Sequence, residues 1–201
     1  PMQSIQLSDK QRTHFAAQLQ RENFSITPAG VYFPTDGVTM SGEYFSRVNG
    51  ANWEKEGDNL VVKEGLIHIL NVALGNLAKP AGYFLALFSG NTAPDNTWTA
   101  ASFAAVSSEV VSQTEGYTGA TRPAWTPVNA SANASIDNFA SAAEMTMATS
   151  GSLTVTGAAL LTSSQRGGTT GVLVSASKFA VPRTFQDGDL YELGYRLNAT
   201  V

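Results

Sequence analysis

The C-terminal segment DLYELGYRLNATV (189–201) alternates between large apolar and mostly polar residues over its whole length. Successive side chains of a β-strand point to opposite faces of a sheet, so this alternation predicts a strand with one buried face. The predicted inward face consists of Tyr191, Leu193, Tyr195, Leu197, Ala199 and Val201, and the outward face of Glu192, Gly194, Arg196, Asn198 and Thr200.

Short apolar runs separated by turn residues continue this pattern upstream. GYFLALFS (82–89) is bounded by Pro80 and Gly90, as a buried strand is, whereas residues 102–112 fit either a strand or a poor helix. Their number and spacing predict a mainly β fold, a jelly-roll-like sandwich or barrel. Further strands are predicted at 136–147, at 152–161 (with Leu153, Val155, Ala159 and Leu161 on one side) and at 172–181.

A helix is predicted directly before these strands, over residues 60–74. Gly75 follows it as a stop signal, and His68 lies inside it. We expect His68 to be a partly buried residue with one hydrogen bond, because no second ligand type is spaced near it. The apolar residues at helical spacing are Val62, Leu66, Ile69, Leu70, Ala73 and Leu74.

The first 58 residues are richer in charged and aromatic residues than the rest of the chain. This difference in composition predicts an N-terminal arm, residues 1–58, ahead of a β domain at 59–201. Ser8 and Gln11 form a capping-box pattern that predicts a short helix. The irregular segment after it is rich in aromatic residues and in glycine and proline, which indicates a chain that lies across another surface. That surface is either the protein's own β domain or a neighbouring subunit. The candidate anchors are Phe24, Tyr32, Phe33, Tyr44, Phe45 and Trp53.

Charged residues make up only 14% of the 201 residues, against about 25% in an average protein. The net charge of −4 argues against a nucleic-acid partner, which would require a basic face. No apolar run is long enough to span a membrane. The chain has no cysteine, which excludes disulfides and thiolate metal sites.

The sequence offers no convincing set of catalytic, metal-binding or cofactor-binding residues. Its histidines are His14 and His68, both in predicted helices outside the strands, and no nucleophile-elbow motif is present. The acidic pairs Glu109/Glu115 and Asp187/Asp189 fall in turn-like segments, where acidic residues are common. We therefore predict a non-enzymatic protein without metal or cofactor.

Sugar binding is a separate alternative, because Trp98, Tyr117 and Trp125 lie in loop-like segments and aromatic platforms hold sugars. The competing interpretation is that these rings pack the loops onto the β domain. We favour packing, since large aromatic side chains contribute buried area first.

The order and spacing of several blocks between residue 59 and residue 201 resemble a family of small structural proteins of tailed-bacteriophage virions. The blocks are KEGLIHILNVAL (63–74), GYFLALFSG (82–90), EGYTGATRPAWTP (115–127), IDNFASAAEMTM (136–147), TVTGAALLTSSQRGGTTGVLVSASKF (154–179) and QDGDLYELGYRL (186–197). The match belongs to the run of blocks and not to any single block.

This resemblance implies a virion component with a jelly-roll-like domain. The expected role is capsid decoration, in which the protein cements neighbouring major capsid subunits from outside. The expected partners are the major capsid protein and copies of itself, as a dimer or trimer, and the expected location is the capsid surface after assembly in the bacterial cytoplasm. A neck, collar or tail protein and a glycan- or receptor-binding module remain alternatives.

Overall fold

The computed structural model describes residues 24–26, 32–34 and 39–200, with backbone only for the first two ranges. The chain divides into two compact units, and the larger one comprises Met40–Ala199. The smaller unit contains a two-stranded antiparallel hairpin, in which Ser25 lies opposite Phe33. Its strands are β1 (Phe24–Ile26) and β2 (Tyr32–Pro34).

The larger unit contains two antiparallel sheets. The strands of the first sheet are β3 (Thr39–Val48), β4 (Glu54–Asp58), β7 (Gly116–Tyr117), β9 (Ser135–Asp137), β10 (Ala143–Ala148) and β13 (Leu190–Thr200). Their order is β4-β3-β13-β10-β7, and β9 also pairs with β13. The strands of the second sheet are β5 (Leu60–Val61), β6 (Tyr83–Phe88), β8 (Ala124–Trp125), β11 (Leu153–Leu161) and β12 (Leu173–Phe185), in the order β5-β12-β11-β6-β8.

The main hydrophobic core lies between the two sheets, as expected for a β-sandwich. Tyr191, Leu193 and Tyr195 of β13 are fully buried in it, which confirms the first half of the predicted inward face of that strand. Leu197 is only partly buried against this core, and Val201 lies outside the described residues. The first sheet is joined to the second by the Tyr44 hydroxyl, 3.1 Å from the Ser175 hydroxyl. The mainly β sandwich predicted from the sequence is confirmed, whereas its jelly-roll connectivity stays a prediction.

A second, smaller core covers the outer face of the second sheet. It contains Ala86 and Phe88 of β6, together with Trp98 and Phe103. Two α-helices of the described chain pack on this sheet, α1 (Lys63–Ala73) and α2 (Ala100–Ser107). Helix α1 confirms the helix predicted at 60–74 from Lys63 onward, whereas Leu60–Val61 form strand β5 instead. Helix α2 shows that the ambiguous segment 102–112 begins as a helix.

The boundary predicted at residue 58 is wrong. Strands β3 and β4 belong to the first sheet, and β3 pairs directly with β4, so the sandwich begins near Met40. Truncation through Asp58 would remove both strands from the fold. The sequence concealed them because Gly42, Gly50 and Gly57 interrupt the pattern, although each is accommodated within or between strands. The predicted helix near Ser8 lies outside the described residues.

The predicted face of β11 holds for only part of the strand. Val155 lies in the main core, together with Ala158 and Leu160. Ala159 and Leu161, which were predicted to share a side with Val155, lie in the second core instead. The register with β12 shifts between Val155 and Gly157. An irregularity of this kind changes which side chains face inward, because side chains alternate strictly only along regular strands.

Candidate interaction surfaces

Outward-facing side chains of the first sheet form a cluster of aromatic rings and arginines that we call the aromatic–arginine surface. Its members are half-buried, so each offers part of its area to solvent. They come from β3, the β3–β4 turn, the turn after β9, and β13. The surface consists of Phe45, Arg47, Trp53, Phe139 and Arg196.

The rings of this surface pack edge to face around Phe139. The ring centroids of Phe45 and Trp53 lie 5.1 Å and 5.3 Å from that of Phe139. Gly194 of β13 lies beneath them, and a Cβ at this position would come within 2.5 Å of the Phe139 ring. The glycine therefore allows Phe139 to lie flat against the sheet.

Both arginines of the surface stack on these rings and are paired with acids. The guanidinium of Arg47 lies 4.8 Å from the Trp53 ring centroid and donates to both Glu192 carboxylate oxygens, at 2.8 and 2.5 Å. Arg196 lies 4.8 Å from the Phe139 centroid and 3.3 Å from the Asp137 carboxylate. Because both charges are balanced, the surface is aromatic and close to neutral.

The six residues predicted as anchors lie in different parts of the chain's structure. Phe45 and Trp53 lie on the aromatic–arginine surface, where they can still contact a partner. Tyr44, the neighbour of Phe45, is fully buried in the main core and cannot serve as an anchor, because adjacent residues of a strand face opposite ways. The side chains of Phe24, Tyr32 and Phe33 lie outside the described residues.

The aromatic residues considered for sugar binding are buried, which confirms the packing interpretation. Trp98 belongs to the second core and Tyr117 to the main core. Trp125 is also in the main core, where its indole N–H donates to the Tyr195 carbonyl at 3.0 Å. Burial raises the pKa of Tyr117 to about 12, which places this phenol far from the range useful for proton transfer near neutrality.

The four acids considered for catalysis all form ion pairs or hydrogen bonds within the fold. Glu109 forms a fully buried ion pair with Arg122, whose Nε and Nη2 donate to its two carboxylate oxygens at 2.7 Å. Glu115 accepts from the hydroxyl and N–H of Ser150 and from the Thr149 hydroxyl, and these bonds lower its pKa.

The two aspartates of the β12–β13 turn also accept backbone hydrogen bonds. Asp187 accepts from the Thr149 N–H at 3.1 Å, and Asp189 accepts from the Gln186 N–H at 2.8 Å and from the Asn49 side chain. These bonds lower the pKa of Asp189. Both acids therefore have the turn-stabilising role expected from the sequence.

His68 is buried on the sheet-facing side of α1, and its Nε2 lies 3.0 Å from the Tyr83 hydroxyl. This single hydrogen bond agrees with the prediction. Burial lowers the pKa of His68. Among the residues that the structure describes, no group of three or more histidines and acids is placed to hold a metal ion.

Helix α1 carries a second exposed feature, a row of apolar side chains on its outward side. Leu66, Ile67 and Leu70 are 40%, 50% and 58% exposed, and Leu74 at the helix end is 85% exposed. The buried residues of the helix are instead Gly65 and His68, and Ile69 packs partly against the main core. Spacing alone did not reveal this arrangement, although the run Leu66, Ile67, Ile69, Leu70 holds more apolar residues than one helix face can bury.

Two hollows accompany these surfaces. One is an apolar groove of about 640 Å³ beside α1, lined by residues that include Ile69, Tyr83 and Trp125. The other is a polar hollow of about 700 Å³ in the β8–β9 loop region, lined by Asn133, Asn198 and other residues. None of the described helices has the length and apolar character needed to cross a bilayer.

Comparison with known proteins adds no assignment. No protein-family model matches the chain, and no curated protein sequence matches it.

Proposed function

We propose that this protein is a non-enzymatic structural component of a tailed-bacteriophage virion that decorates the outside of the capsid and bridges neighbouring major capsid subunits. The observation that carries the proposal is the aromatic–arginine surface. Aromatic residues and arginine are enriched in the centres of protein interfaces and contribute most of the binding energy there. The resemblance of the sequence blocks to phage structural proteins supports the same role.

The chemistry of this surface suits adhesion to another protein. Its rings offer flat apolar area, and its arginines already have acidic partners, so docking leaves no unpaired charge in the interface. Covering the surface therefore buries paired charges and avoids the larger desolvation penalty of an unpaired charge. A typical specific interface buries about 1,600 Å² in total, which requires neighbouring residues to form a polar rim around the five central side chains.

The mechanism of cementing would be the addition of many modest contacts. Each copy that touches two capsid subunits converts its second contact into an intramolecular event with a high effective concentration. The shell is then stabilised without strong affinity at either contact. We place the protein on the capsid surface after assembly in the bacterial host cytoplasm, with the major capsid protein and copies of itself as partners.

Trp53→Ala tests the proposal at the centre of the surface. We expect it to weaken attachment to purified decoration-free particles by about 30-fold or more, as loss of a tryptophan anchor does at protein interfaces. Co-sedimentation of the variant with particles measures the effect. Val181→Ala is the matched control, because Val181 is 68% exposed and lies on β12, in the other sheet.

Circular dichroism and urea unfolding establish that both variants remain folded. Equal attachment of Trp53→Ala and the control would contradict a role for this surface. Copy number separates capsid decoration from the alternative of a neck, collar or tail protein. A decoration protein should approach the abundance of the major capsid protein in virions, whereas a ring at a single vertex holds about a dozen copies or fewer.

The polar hollow favours a second candidate function, a glycan- or receptor-binding module. The residues that line it include Asn129, Ser131, Asn133 and Asn198, whose side chains have the donors and acceptors that sugar hydroxyls require. This function predicts saturable binding of a glycan that Asn133→Ala abolishes. Calorimetric titration of wild type and variant against host surface glycans tests it, and absence of binding to both would remove the candidate.

A further inference from the structure

Helix α1 presents a regular apolar seam to solvent. Ile67 and Leu70 of the helix and Leu74 at its C-cap are separated by three and four residues, the spacing found where one helix packs against another, and Leu77 follows after the helix end. They are 49% to 85% exposed, so the protein's own fold covers at most about half of each.

The end of the helix continues this seam. The Leu74 N–H donates to the Leu70 carbonyl at 2.9 Å, and the Leu77 N–H donates to the Asn71 carbonyl at 3.2 Å. These bonds hold Leu77 next to the last turn, although the helix ends at Ala73. The backbone of Leu77 therefore stays close to the last helical turn, and Leu77 adds exposed apolar area at this end of the seam.

The charged residues near α1 lie at the two ends of the seam, and one of them, Lys79, follows Leu77 by two residues and lines the groove beside the helix. Lys63 and Glu64 are the charged residues of the helix, and both lie in its first turn. The Glu64 carboxylate accepts from the backbone N–H groups of Ala100 and Leu173, at 2.8 and 2.7 Å, and so is directed toward the protein. The apolar residues of the seam carry no charge between these ends, so an identical seam meets no like-charge repulsion along its length.

The area fits a moderate dimer. A buried Leu or Ile side chain removes of the order of 100 Å² from water, so the exposed parts of these side chains and Leu66 supply roughly 300 Å² per copy. A standard interface buries about 800 Å² per partner, of which a little over half is apolar. The seam thus provides most of the apolar centre that a second copy needs, and flanking polar residues provide the rim.

We propose that a second copy of this chain packs its α1 against the same seam across a two-fold axis, so that the protein is a homodimer. This inference rests on the proposed function only for its purpose, since a dimer doubles the number of capsid-contacting surfaces. A two-fold contact uses the same patch on both copies, which the apolar, uncharged seam allows.

The absence of cysteine from the chain makes a direct test possible, because any introduced cysteine is unique. Leu70→Cys in the full chain should form a disulfide-linked dimer under mild oxidation, since two-fold packing brings the centres of the seams within disulfide distance. Val181→Cys, which is 68% exposed on β12, should stay monomeric on a non-reducing gel at the same concentration. Cross-linking of Val181→Cys in preference to Leu70→Cys would overturn the proposal.

Sedimentation of the wild type and of Leu70→Ser/Leu74→Ser provides the second measurement. We expect a wild-type dimer and at least a tenfold weaker association of the variant, with an unchanged circular dichroism spectrum. A wild-type monomer, a trimer, or a dimer that persists in the variant would overturn the inference. Particle attachment by a monomeric wild type would leave the proposed function intact, whereas a dimer that fails to attach would reject the function alone.

Discussion

Helices α1 and α2 both pack against the five-stranded sheet, but they do so with opposite kinds of side chain. Helix α2 is made largely of alanine and serine and turns its one large residue, Phe103, fully into the second core. Helix α1 is rich in leucine and isoleucine, yet it places Gly65 and His68 toward the sheet and leaves most of its large side chains exposed.

The choice of residue on α1 follows from how closely this helix approaches the sheet. A Cβ at Gly65 would come within 2.1 Å of the Val174 carbonyl oxygen, so α1 lies almost in backbone contact with β12. Large side chains cannot fit into such a gap. On α2, by contrast, Phe103 packs against the rings of Phe88 and Trp98.

The largest expected effect comes from truncating the buried anchor of α2. Phe103→Ala should lower the free energy of unfolding by about 4 kcal/mol, because it removes a fully buried ring and leaves a cavity. Leu70→Ala is the matched truncation on α1 and should change it by less than about 0.5 kcal/mol in dilute solution. Urea titration measures both, and similar losses would show that α1 contributes its leucines to the monomer core.

A smaller loss is expected from filling the gap under α1. Gly65→Ala should destabilise the protein by about 2 kcal/mol, because the new methyl group forces the helix away from β12. Alanine is otherwise the better helix former by about 1 kcal/mol, so the sign of the change is informative.

Gly151→Ala is the control for this substitution, since no atom lies within 4 Å of the position that its Cβ would occupy. It should leave the thermal midpoint nearly unchanged. A Gly65→Ala variant more stable than wild type would disprove close approach as the reason for the orientation of α1.

The smallest effect concerns His68 and pH. Burial lowers the pKa of His68 in the folded state, so the unfolded chain, with an ordinary value near 6.5, takes up the proton first. His68 therefore lowers the free energy of unfolding as pH falls from the unfolded-state pKa toward the folded-state pKa. Above the unfolded-state pKa, His68 is neutral in both states and has no such effect.

Urea unfolding at about pH 7.5 and about pH 5.5 brackets the ordinary histidine pKa. His68→Gln should lose less stability than wild type on this acidification. The other histidine, His14, is present in both proteins, so the difference reports on His68. An identical pH dependence in both would mean that this site does not titrate with folding.

Strands β13 and β11 show how far the sequence could predict the fold. Tyr191, Leu193 and Tyr195 alternate in the sequence and in the core, because the strand is regular over that stretch. In β11 the same reasoning fails after Val155, where a shifted register places Ala158 in the main core. Whether a strand contains such an irregularity depends on its partner strands, which its own residues do not specify.

The candidate surfaces were less predictable than the strands. Phe45 and Trp53 could be selected as aromatic residues in a segment rich in turns, but Phe139 and Arg196 become their neighbours only when β3 and β9 pair with β13. The sequence also gave no reason to prefer Phe45 over Tyr44. Which of the two is exposed depends on which face of β3 meets the second sheet. The contact between the Tyr44 and Ser175 hydroxyls shows that the Tyr44 face does.

The sequence by itself determined that this protein is mainly β, that a helix precedes the strands of its C-terminal part, and that few charges are available for chemistry. Composition and short-range periodicity carry this information, because each residue's preference for strand, helix or turn is local. The tertiary structure alone decided where the sandwich begins, which side of α1 faces the sheet and which aromatic rings share a surface. Those properties depend on distances between segments far apart in the chain, such as Gly65 and Val174, and such distances are set only when the sheets pack.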